Sequence, residues 1–274
     1  MNIGIIGAGN MARAIVKGAA ASNLLEDFQI FVSDRDEAAL ERFDFCFVNK
    51  LKSNAELCLT CNIIALLVKP ANAKEVFGEI RGALNSDKII VSFMAGVTLE
   101  TLRAELPNVK KFVRVMPNLA AKIGMSMNAA RYINLGASEK GIIENLLRGI
   151  GVTQEIEDGL FDIATAVGGS GPAYYYTFID AIALAAEKRG MTPVQARLFS
   201  AQAALGAAAA VLEEDTEINA MRDAVCSKGG TTIEAIKVLQ NVNIYDIIDK
   251  AVEAAYKRAG ELSGNNLKIK PEVF

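Results

Sequence analysis

The sequence predicts an α/β protein in which a doubly wound, mostly parallel sheet is followed by an all-α helical domain. Two observations carry this prediction. Up to about residue 157, short β-branched runs alternate with helical stretches, which is the pattern of a parallel sheet covered on both faces. After Asp158 no β-rich run remains, and alanine-rich segments carry apolar residues at spacings of three and four. With 274 residues, of which 51% are hydrophobic, the chain is expected to divide into domains 1–157 and 158–274.

Eight strands are expected in the first domain. The six clearest are Ile3–Ile6, Phe28–Ser33, Phe45–Val48, Ile63–Val68, Lys88–Phe93 and Phe112–Met116. Two further pieces, near Ser126–Tyr132 and Gln154–Ile156, are expected to extend the sheet.

The first strand runs directly into a Gly-x-Gly-x-x-Ala turn, residues 7–12, and then into a helix expected from Asn10 to Ala20. Gly7 permits the tight turn, Gly9 lacks the Cβ that would keep a pyrophosphate away, and the small Ala12 lets helix and strand pack closely. The N–H groups at the helix start favour an anion. This context predicts a Rossmann-type fold that binds a dinucleotide, whereas an ordinary glycine-rich turn is the alternative.

Composition narrows the chemistry. The chain has no histidine, so imidazole is excluded as a base, triad member or metal ligand. A net charge of −3 without a basic run argues against nucleic acid, and the most apolar tract, 201–212, is too short to span a bilayer. Cys58 and Cys61 have redox or half-zinc spacing, but no second pair accompanies them, so two buried apolar residues are expected and no metal site is predicted. A cytoplasmic protein without a signal peptide is expected.

The helix through Ala201–Leu212 is apolar on both faces, and such helices are normally buried. In a domain of this size a natural place for it is between subunits, which predicts an obligate homodimer with interleaved helices. A central helix in a monomeric bundle is the alternative.

Two glycine-rich loops interrupt the helical half. The first, residues 167–174, ends in Pro172, which suits a first helical turn, with Ser170 placed to cap the helix. The second, residues 226–232, leads into a helix expected over Ile233–Leu239. Either loop alone is compatible with a plain connection, but the consecutive N–H groups of Gly229, Gly230 and Thr231 are a good receptor for a small carboxylate.

Five motifs, in this order and spacing, resemble those of pyrroline-5-carboxylate reductases. They are Gly-Ala-Gly-Asn-Met-Ala at 7–12, Val-Lys-Pro at 68–70, Arg-Val-Met-Pro-Asn at 114–118, Gly-Ser-Gly-Pro-Ala-Tyr at 169–174 and Gly-Gly-Thr-Thr at 229–232. The resemblance implies reduction of the cyclic imine Δ1-pyrroline-5-carboxylate to L-proline by NADPH or NADH. Whether the predicted homodimer assembles into a higher oligomer of dimers stays open. A cyclic iminium ion carries its own proton, so a site without histidine suits this chemistry.

The resemblance also implies roles for individual residues. Thr232 is the catalytic candidate, with its hydroxyl near the ring nitrogen, and a helix-capping threonine is the alternative. The substrate-binding residues would be Ser170, Gly171, Ser227, Gly229, Gly230, Thr231 and Thr232. The cofactor-binding residues would be Gly7, Gly9, Asn10, Met11, Ser33, Asp34, Arg35, Asn54, Val68, Lys69, Pro70, Met116, Pro117 and Asn118. For Asn54 a helix N-cap, and for Lys69 a solvated surface lysine, are the alternatives.

The choice between NADH and NADPH depends on residues 33–35. Asp34 lies about 20 residues after the glycine motif, where an acid accepts hydrogen bonds from the ribose 2'-hydroxyl and favours NAD. Ser33 and Arg35 suit a 2'-phosphate. We expect NADH to be used at least as well as NADPH.

This chain departs from the family pattern in two loops. Leu119-Ala120 stands where the family usually has Thr-Pro, and Lys228 stands where it usually has proline. Lys228 is interpreted as solvated rather than anion-binding. Two other functions stay open: a β-hydroxyacid dehydrogenase, for which Lys188 is the available acid, and a non-catalytic NAD(P)-binding regulator.

Overall fold

The computed structural model describes residues 1–21 and 28–264. Within them, the chain forms two compact units. The first comprises Met1–Ser170 together with the described residues from Ala255 onward, and the second comprises Gly171–Ala254. The predicted division at 157/158 stays a prediction.

The first unit is built on an eight-stranded sheet with the order β3-β2-β1-β4-β5-β6-β7-β8. Its strands are β1 (Asn2–Ile6), β2 (Gln29–Ser33), β3 (Val48–Leu51), β4 (Ile63–Leu66), β5 (Ile89–Ser92), β6 (Lys111–Met116), β7 (Ser126–Ile133) and β8 (Gly151–Glu155). Neighbouring strands are parallel except β6 and β7, which pair antiparallel. The order reverses between β1 and β4, and this is the point of an open α/β sheet at which ligands bind. The predicted doubly wound, mostly parallel sheet is confirmed.

Helices cover both faces of this sheet. They are α1 (Asn10–Ala21), α2 (Glu37–Arg42), α3 (Asn54–Thr60), α4 (Ala73–Ile80), α5 (Leu99–Glu105), α6 (Ala137–Arg148) and α7 (Phe161–Ala164). Alternate strand residues point to opposite faces, so Ile3 and Ile5 pack into one apolar cluster and Ile6 into the other. Both clusters consist of residues of this unit. Because the strands are buried on both faces, their sequences are nearly continuous apolar runs.

The third strand lies three residues later than predicted. Phe45–Val48 was expected, but β3 begins at Val48 and pairs with β2 from Ile30 onward. Phe45 packs its ring against Phe43 and Phe47, and its N–H donates to the Phe43 carbonyl. The aromatic residues that suggested a strand therefore form a packed turn before it.

The second unit is helical, as predicted. It contains α8 (Gly171–Glu187), α9 (Pro193–Glu213), α10 (Ile218–Ala224), α11 (Thr231–Asn241) and the beginning of α12 (Ile244–Ser263). The α9 helix begins with a capping box between Thr192 and Gln195, with Pro193 in its first turn. Inside the unit, α9 buries the small side chains Ala196 and Ser200.

Large apolar side chains of α8 and α9 are exposed in the single chain. They include Tyr175, Tyr176 and Ile182 of α8, and Leu198, Phe199, Leu205 and Leu212 of α9. Half of the Leu205 surface and 87% of the Leu212 surface are accessible. So much exposed apolar surface is typical of a face that another chain covers.

Within the described residues, no helix combines the length with the apolar character that crossing a bilayer requires. In the same part of the chain, no group of three or more cysteine, aspartate or glutamate side chains is arranged to hold a metal ion.

Candidate active site

A cleft of about 780 Å³ opens beyond the carboxyl ends of β1, β2 and β4. Eight of the predicted cofactor residues line it: Gly7, Gly9, Asn10, Asp34, Arg35, Asn54, Val68 and Lys69. The cleft therefore brings together four segments that are far apart in the sequence, namely the glycine loop and the loops after β2, β3 and β4.

Gly7 and Gly9 have different roles in the glycine loop. Gly7 has a φ of +105°, and a Cβ there would lie 2.8 Å from the carbonyl oxygen of Leu67. Its N–H donates to the Ser33 carbonyl at 2.8 Å, which fixes the loop to β2. A Cβ on Gly9, in contrast, would meet no described atom within 4 Å. Gly7 is required by the fold, whereas Gly9 leaves space in the cleft for a ligand.

Asp34 connects the two loops that enclose the cleft. One carboxylate oxygen, Oδ2, accepts the Ala8 N–H at 2.7 Å, and the other, Oδ1, accepts the Asp36 N–H at 2.9 Å. Each oxygen keeps a second lone pair, so the half-buried carboxylate retains the capacity to accept a ribose hydroxyl.

Ser33 and Asn54 belong to a hydrogen-bonded chain. The buried Ser33 hydroxyl donates to Asn54 Oδ1 at 2.7 Å, and Asn54 Nδ2 donates to Glu79 Oε2 at 2.5 Å. Asn54 is the first residue of α3, and Ser53 is its N-cap, accepting the Glu56 N–H. The helix-cap interpretation of Asn54 is therefore wrong. Its side chain lies in the cleft, whereas the Ser33 hydroxyl is already engaged inside the protein.

Five cleft residues with charged side chains were not predicted. Glu75 and Glu79 are on α4, Arg13 is on α1, Asp36 is the N-cap of α2, and Arg42 ends α2. The only signal in the sequence was the polar face of α4, where acids recur at a spacing of four, and solvated helix faces share that pattern.

Lys69 and Pro70 follow β4, as expected. Lys69 is extended, with φ −64° and ψ 142°, and Pro70 opens a short 3₁₀ helix. The Lys69 side chain is exposed and lines the cleft. Both the cofactor role and the solvated alternative fit this position.

The loop after β6 is held by Asn118. Its backbone N–H donates to Ser126 Oγ, its Nδ2 donates to the Gly168 carbonyl, and its Oδ1 accepts the Ala120 N–H, each at 2.9 Å. Asn118 thus N-caps the 3₁₀ turn that contains Leu119 and Ala120. Met116, Pro117 and Asn118, like Met11, Ser33 and Pro70, are not among the residues that line the cleft. Their cofactor roles stay predictions.

The second glycine loop forms a tight turn at the start of α11. Gly229 has a φ of +74°, and Gly230 is the helix N-cap. The Gly230 N–H donates to the Ser227 carbonyl at 2.9 Å. In the described part of the chain, the N–H groups of Gly229 and Thr231 have no hydrogen-bond partner.

Thr232 is the second residue of α11 and is half-buried. Because Gly230 is the N-cap, Thr232 does not cap the helix, and that alternative is wrong. The helix also begins two residues earlier than predicted, which places Thr231 and Thr232 in its first turn. The Thr232 hydroxyl is therefore held in the turn that offers the unpaired amides.

The first glycine loop differs from the prediction. Residues Thr165–Gly169 form a π-helical turn, and the Ser170 N–H donates to the Thr165 carbonyl at 2.8 Å. Ser170 has helical dihedrals, φ −87° and ψ −23°, instead of the extended conformation of an N-cap. The expected capping role of Ser170 is thus wrong, because the chain enters α8 from a preceding helical turn. Gly171 is buried at the start of α8.

Two other candidate groups are placed outside any site. Cys58 and Cys61 are free, buried thiols in an apolar cluster. Burial raises the pKa of each thiol from 9.0 to about 12, which disfavours the thiolate needed for redox chemistry or zinc binding. Lys188 follows the last residue of α8 and is exposed, which agrees with the polar end of a helix.

Curated relatives identify the family. The chain is 36% identical to pyrroline-5-carboxylate reductase of Escherichia coli (strain K12), over 95% of this chain and 98% of that protein. The chain belongs to the pyrroline-5-carboxylate reductase family.

Family models and solved structures agree with this assignment. Residues 158–262 match the model for pyrroline-5-carboxylate reductase dimerisation, and residues 2–96 match that for the coenzyme F420-dependent NADP oxidoreductases. A pyrroline-5-carboxylate reductase from Coxiella burnetii superposes with a TM-score of 0.87 at 33% identity, covering 96% of this chain and 98% of that one. The Plasmodium falciparum pyrroline carboxylate reductase with NADP bound gives 0.85 at 27% identity, covering 96% and 98%. The family's helical dimerisation domain thus follows the nucleotide-binding domain in this chain.

Proposed function

We propose that this chain reduces Δ1-pyrroline-5-carboxylate to L-proline with NADPH or NADH. One observation carries the proposal. This chain, a member of the family, has both a cleft suited to a dinucleotide and a glycine turn with unpaired amides next to Thr232. The first feature suits a nicotinamide cofactor, and the second suits a small anionic substrate.

The cofactor would be held by backbone and side-chain groups of the cleft. The open space at Gly9 and the first N–H groups of α1 would accept the pyrophosphate. Asp34 would accept a ribose hydroxyl, and Asn54 would contact the adenosine side. Lys69, beyond β4, would lie at the nicotinamide ribose. When bound, the reduced nicotinamide supplies the hydride for the reaction.

We propose that the substrate carboxylate accepts hydrogen bonds from the N–H groups of Gly229 and Thr231, while the Gly230 N–H shapes the turn through Ser227. The α11 helix adds a favourable field for the anion, because its N-terminus carries partial positive charge. Ser170 and Gly171 are proposed to complete the substrate pocket. The Thr232 hydroxyl would then lie near the ring nitrogen.

The proton balance explains why no histidine is needed. The protonated imine accepts a hydride at its carbon, the C=N π electrons become the nitrogen lone pair, and the nitrogen keeps its proton. The resulting secondary amine takes a further proton from water. The protein therefore holds and desolvates the ring, and the Thr232 hydroxyl orients the nitrogen by a hydrogen bond.

We further propose that residues 158–274 form a substrate-binding and dimerisation domain, and that the working unit is a homodimer. The exposed apolar faces of α8 and α9, and the match of this region to the dimerisation family model, support a second copy as the partner. Sedimentation analysis would show whether these dimers assemble into a larger oligomer. The four free thiols suit the reducing cytoplasm, which we propose as the location.

One assay tests the proposed function. NAD(P)H oxidation is followed with pyrroline-5-carboxylate and, separately, with a panel of β-keto and semialdehyde acids. We expect turnover only with the cyclic imine. Turnover with the panel alone would favour a β-hydroxyacid dehydrogenase, and cofactor binding without turnover would favour a regulator.

A further inference from the structure

Two acids of α4 line the cleft near Arg35 and Asn54, the end proposed for the adenosine, and Glu75 and Glu79 are together called the acidic wall here. Arg35, the one cation in the segment Ser33–Asp36, does not project freely into the cleft. Its Nη1 donates to Glu75 Oε2 at 2.8 Å. The guanidinium that sequence reasoning offers to a 2'-phosphate is therefore already paired with an acid of the opposite wall.

The other candidate donor within this segment is engaged as well. The buried Ser33 hydroxyl donates to Asn54, which in turn donates to Glu79. A phosphate on Ser33 would have to break this chain, and one on Arg35 would have to share the guanidinium with Glu75 or displace it. A ribose with a free 2'-hydroxyl requires neither, because Asp34 keeps an acceptor site.

We infer that Glu75 is a specificity-determining residue that acts through Arg35 and disfavours NADP(H) relative to NAD(H). The pair is exposed, with 64% of the Arg35 side chain and 59% of the Glu75 side chain accessible, so its strength is modest. A phosphate is a strong bidentate partner for arginine, and it competes directly with a pair of this kind. Glu75 thus tunes the preference between the two cofactors without abolishing the use of either. This inference rests on the proposed dinucleotide site but not on turnover.

The test uses cofactor fragments that lack the nicotinamide. Calorimetric titration compares 2',5'-ADP with 5'-AMP on the wild-type protein and on Glu75→Gln. We expect the variant to bind 2',5'-ADP about fivefold more tightly, equivalent to about 1 kcal/mol, with 5'-AMP binding unchanged. Glu105→Gln is the matched control, since Glu105 pairs with Arg81 at 2.6 Å in the same chemistry but does not line the cleft.

A double-mutant cycle with Arg35→Gln tests the path of the effect. If Glu75 acts through Arg35, the gain from Glu75→Gln disappears in the Arg35→Gln background. Persistence of the gain there, an equal change for both nucleotides, or no change for either overturns the inference. In each of these outcomes the wild-type protein still binds 5'-AMP, so they differ from failure of the cofactor site. Failure of the wild type to bind either fragment would overturn the cofactor site and the inference with it.

Discussion

The two units use apolar residues in opposite ways. In the nucleotide-binding unit, strand residues such as Ile5 and Leu66 are fully buried between the sheet and its covering helices. In the helical unit, Leu198, Leu205 and Leu212 of α9 leave half or more of their surfaces exposed. The first unit closes its own core, whereas the second has more apolar surface than its own helices cover. We infer that the fold of the second unit is completed by another copy.

The two units also differ in whether their candidate binding groups are already hydrogen-bonded. Asp34 and Asn54 of the cleft, and the buried Ser33 that donates to Asn54, are already hydrogen-bonded to protein groups, so this site is organised before a ligand arrives. In the second glycine turn, the amides of Gly229 and Thr231 have no partner within the described residues. An anion at that turn would therefore add hydrogen bonds to amides that have none, whereas a ribose in the cleft would meet side chains that are already hydrogen-bonded.

The largest predicted effect is loss of the dimer. Leu205→Glu places a carboxylate twice in a two-fold interface, and each buried unpaired charge costs about 3–5 kcal/mol. We expect a monomer with almost no reductase activity, measured by sedimentation and by NAD(P)H oxidation. Leu59→Glu is the matched control, because Leu59 is exposed on α3 of the nucleotide-binding unit. A dimeric, fully active Leu205→Glu protein would contradict the proposed interface.

The next prediction contrasts the effects of substituting two glycines of the nucleotide-binding unit. Gly9→Val directs a side chain into open cleft space, so we expect about a 100-fold loss of cofactor affinity with an unchanged midpoint of unfolding. Gly7→Ala forces a positive φ and a contact with the Leu67 carbonyl, so we expect it to lower the free energy of unfolding by about 1–3 kcal/mol. Titration with NADH and urea unfolding check the pair. Equal stability losses in both variants would show that Gly9 is also a structural glycine.

A smaller effect is expected in the helical unit. Thr232→Ala removes one hydroxyl from the turn that offers the unpaired amides, so we expect kcat/KM for pyrroline-5-carboxylate to fall about tenfold. Cofactor affinity should stay unchanged, since Thr232 does not line the cleft. Thr60→Ala, an exposed helical threonine of α3, is the control. A Thr232→Ala enzyme with the wild-type rate would remove the hydroxyl from the proposed mechanism.

The fold was largely predictable, because buried parallel strands carry continuous β-branched runs and the alanine-rich half has helical spacing. The third strand was misplaced because Phe45 and Phe47 have strand-like side chains but pack in a turn. Ser170 was misinterpreted because a sequence pattern of serine, glycine and proline does not reveal the preceding π-helical turn. In both places, contacts between residues a few positions apart override the preference of the single residue.

The site was predictable only where a motif fixes the backbone. The glycine loop and Asp34 follow from local geometry, and both line the cleft. Glu75 and Glu79 were missed because they come from α4, whose approach to Arg35 and Asn54 is set by the sheet order. A pairing across 40 residues of sequence leaves no local signal.

The smallest predicted effect concerns the stability at high pH of the nucleotide-binding unit, whose core buries two thiols. Cys58 and Cys61 ionise near 9.0 when unfolded, whereas burial raises the pKa of each folded thiol to about 12. Between these values the unfolded state binds fewer protons, so stability present below pH 9 is lost as pH rises towards the folded pKa of the thiols. We expect urea unfolding of a Cys58→Ala, Cys61→Ala double variant to show a shallower alkaline decline. Cys46→Ala, which removes an exposed thiol, should decline like the wild type. Identical slopes in all three proteins would mean that the core admits water around these thiols.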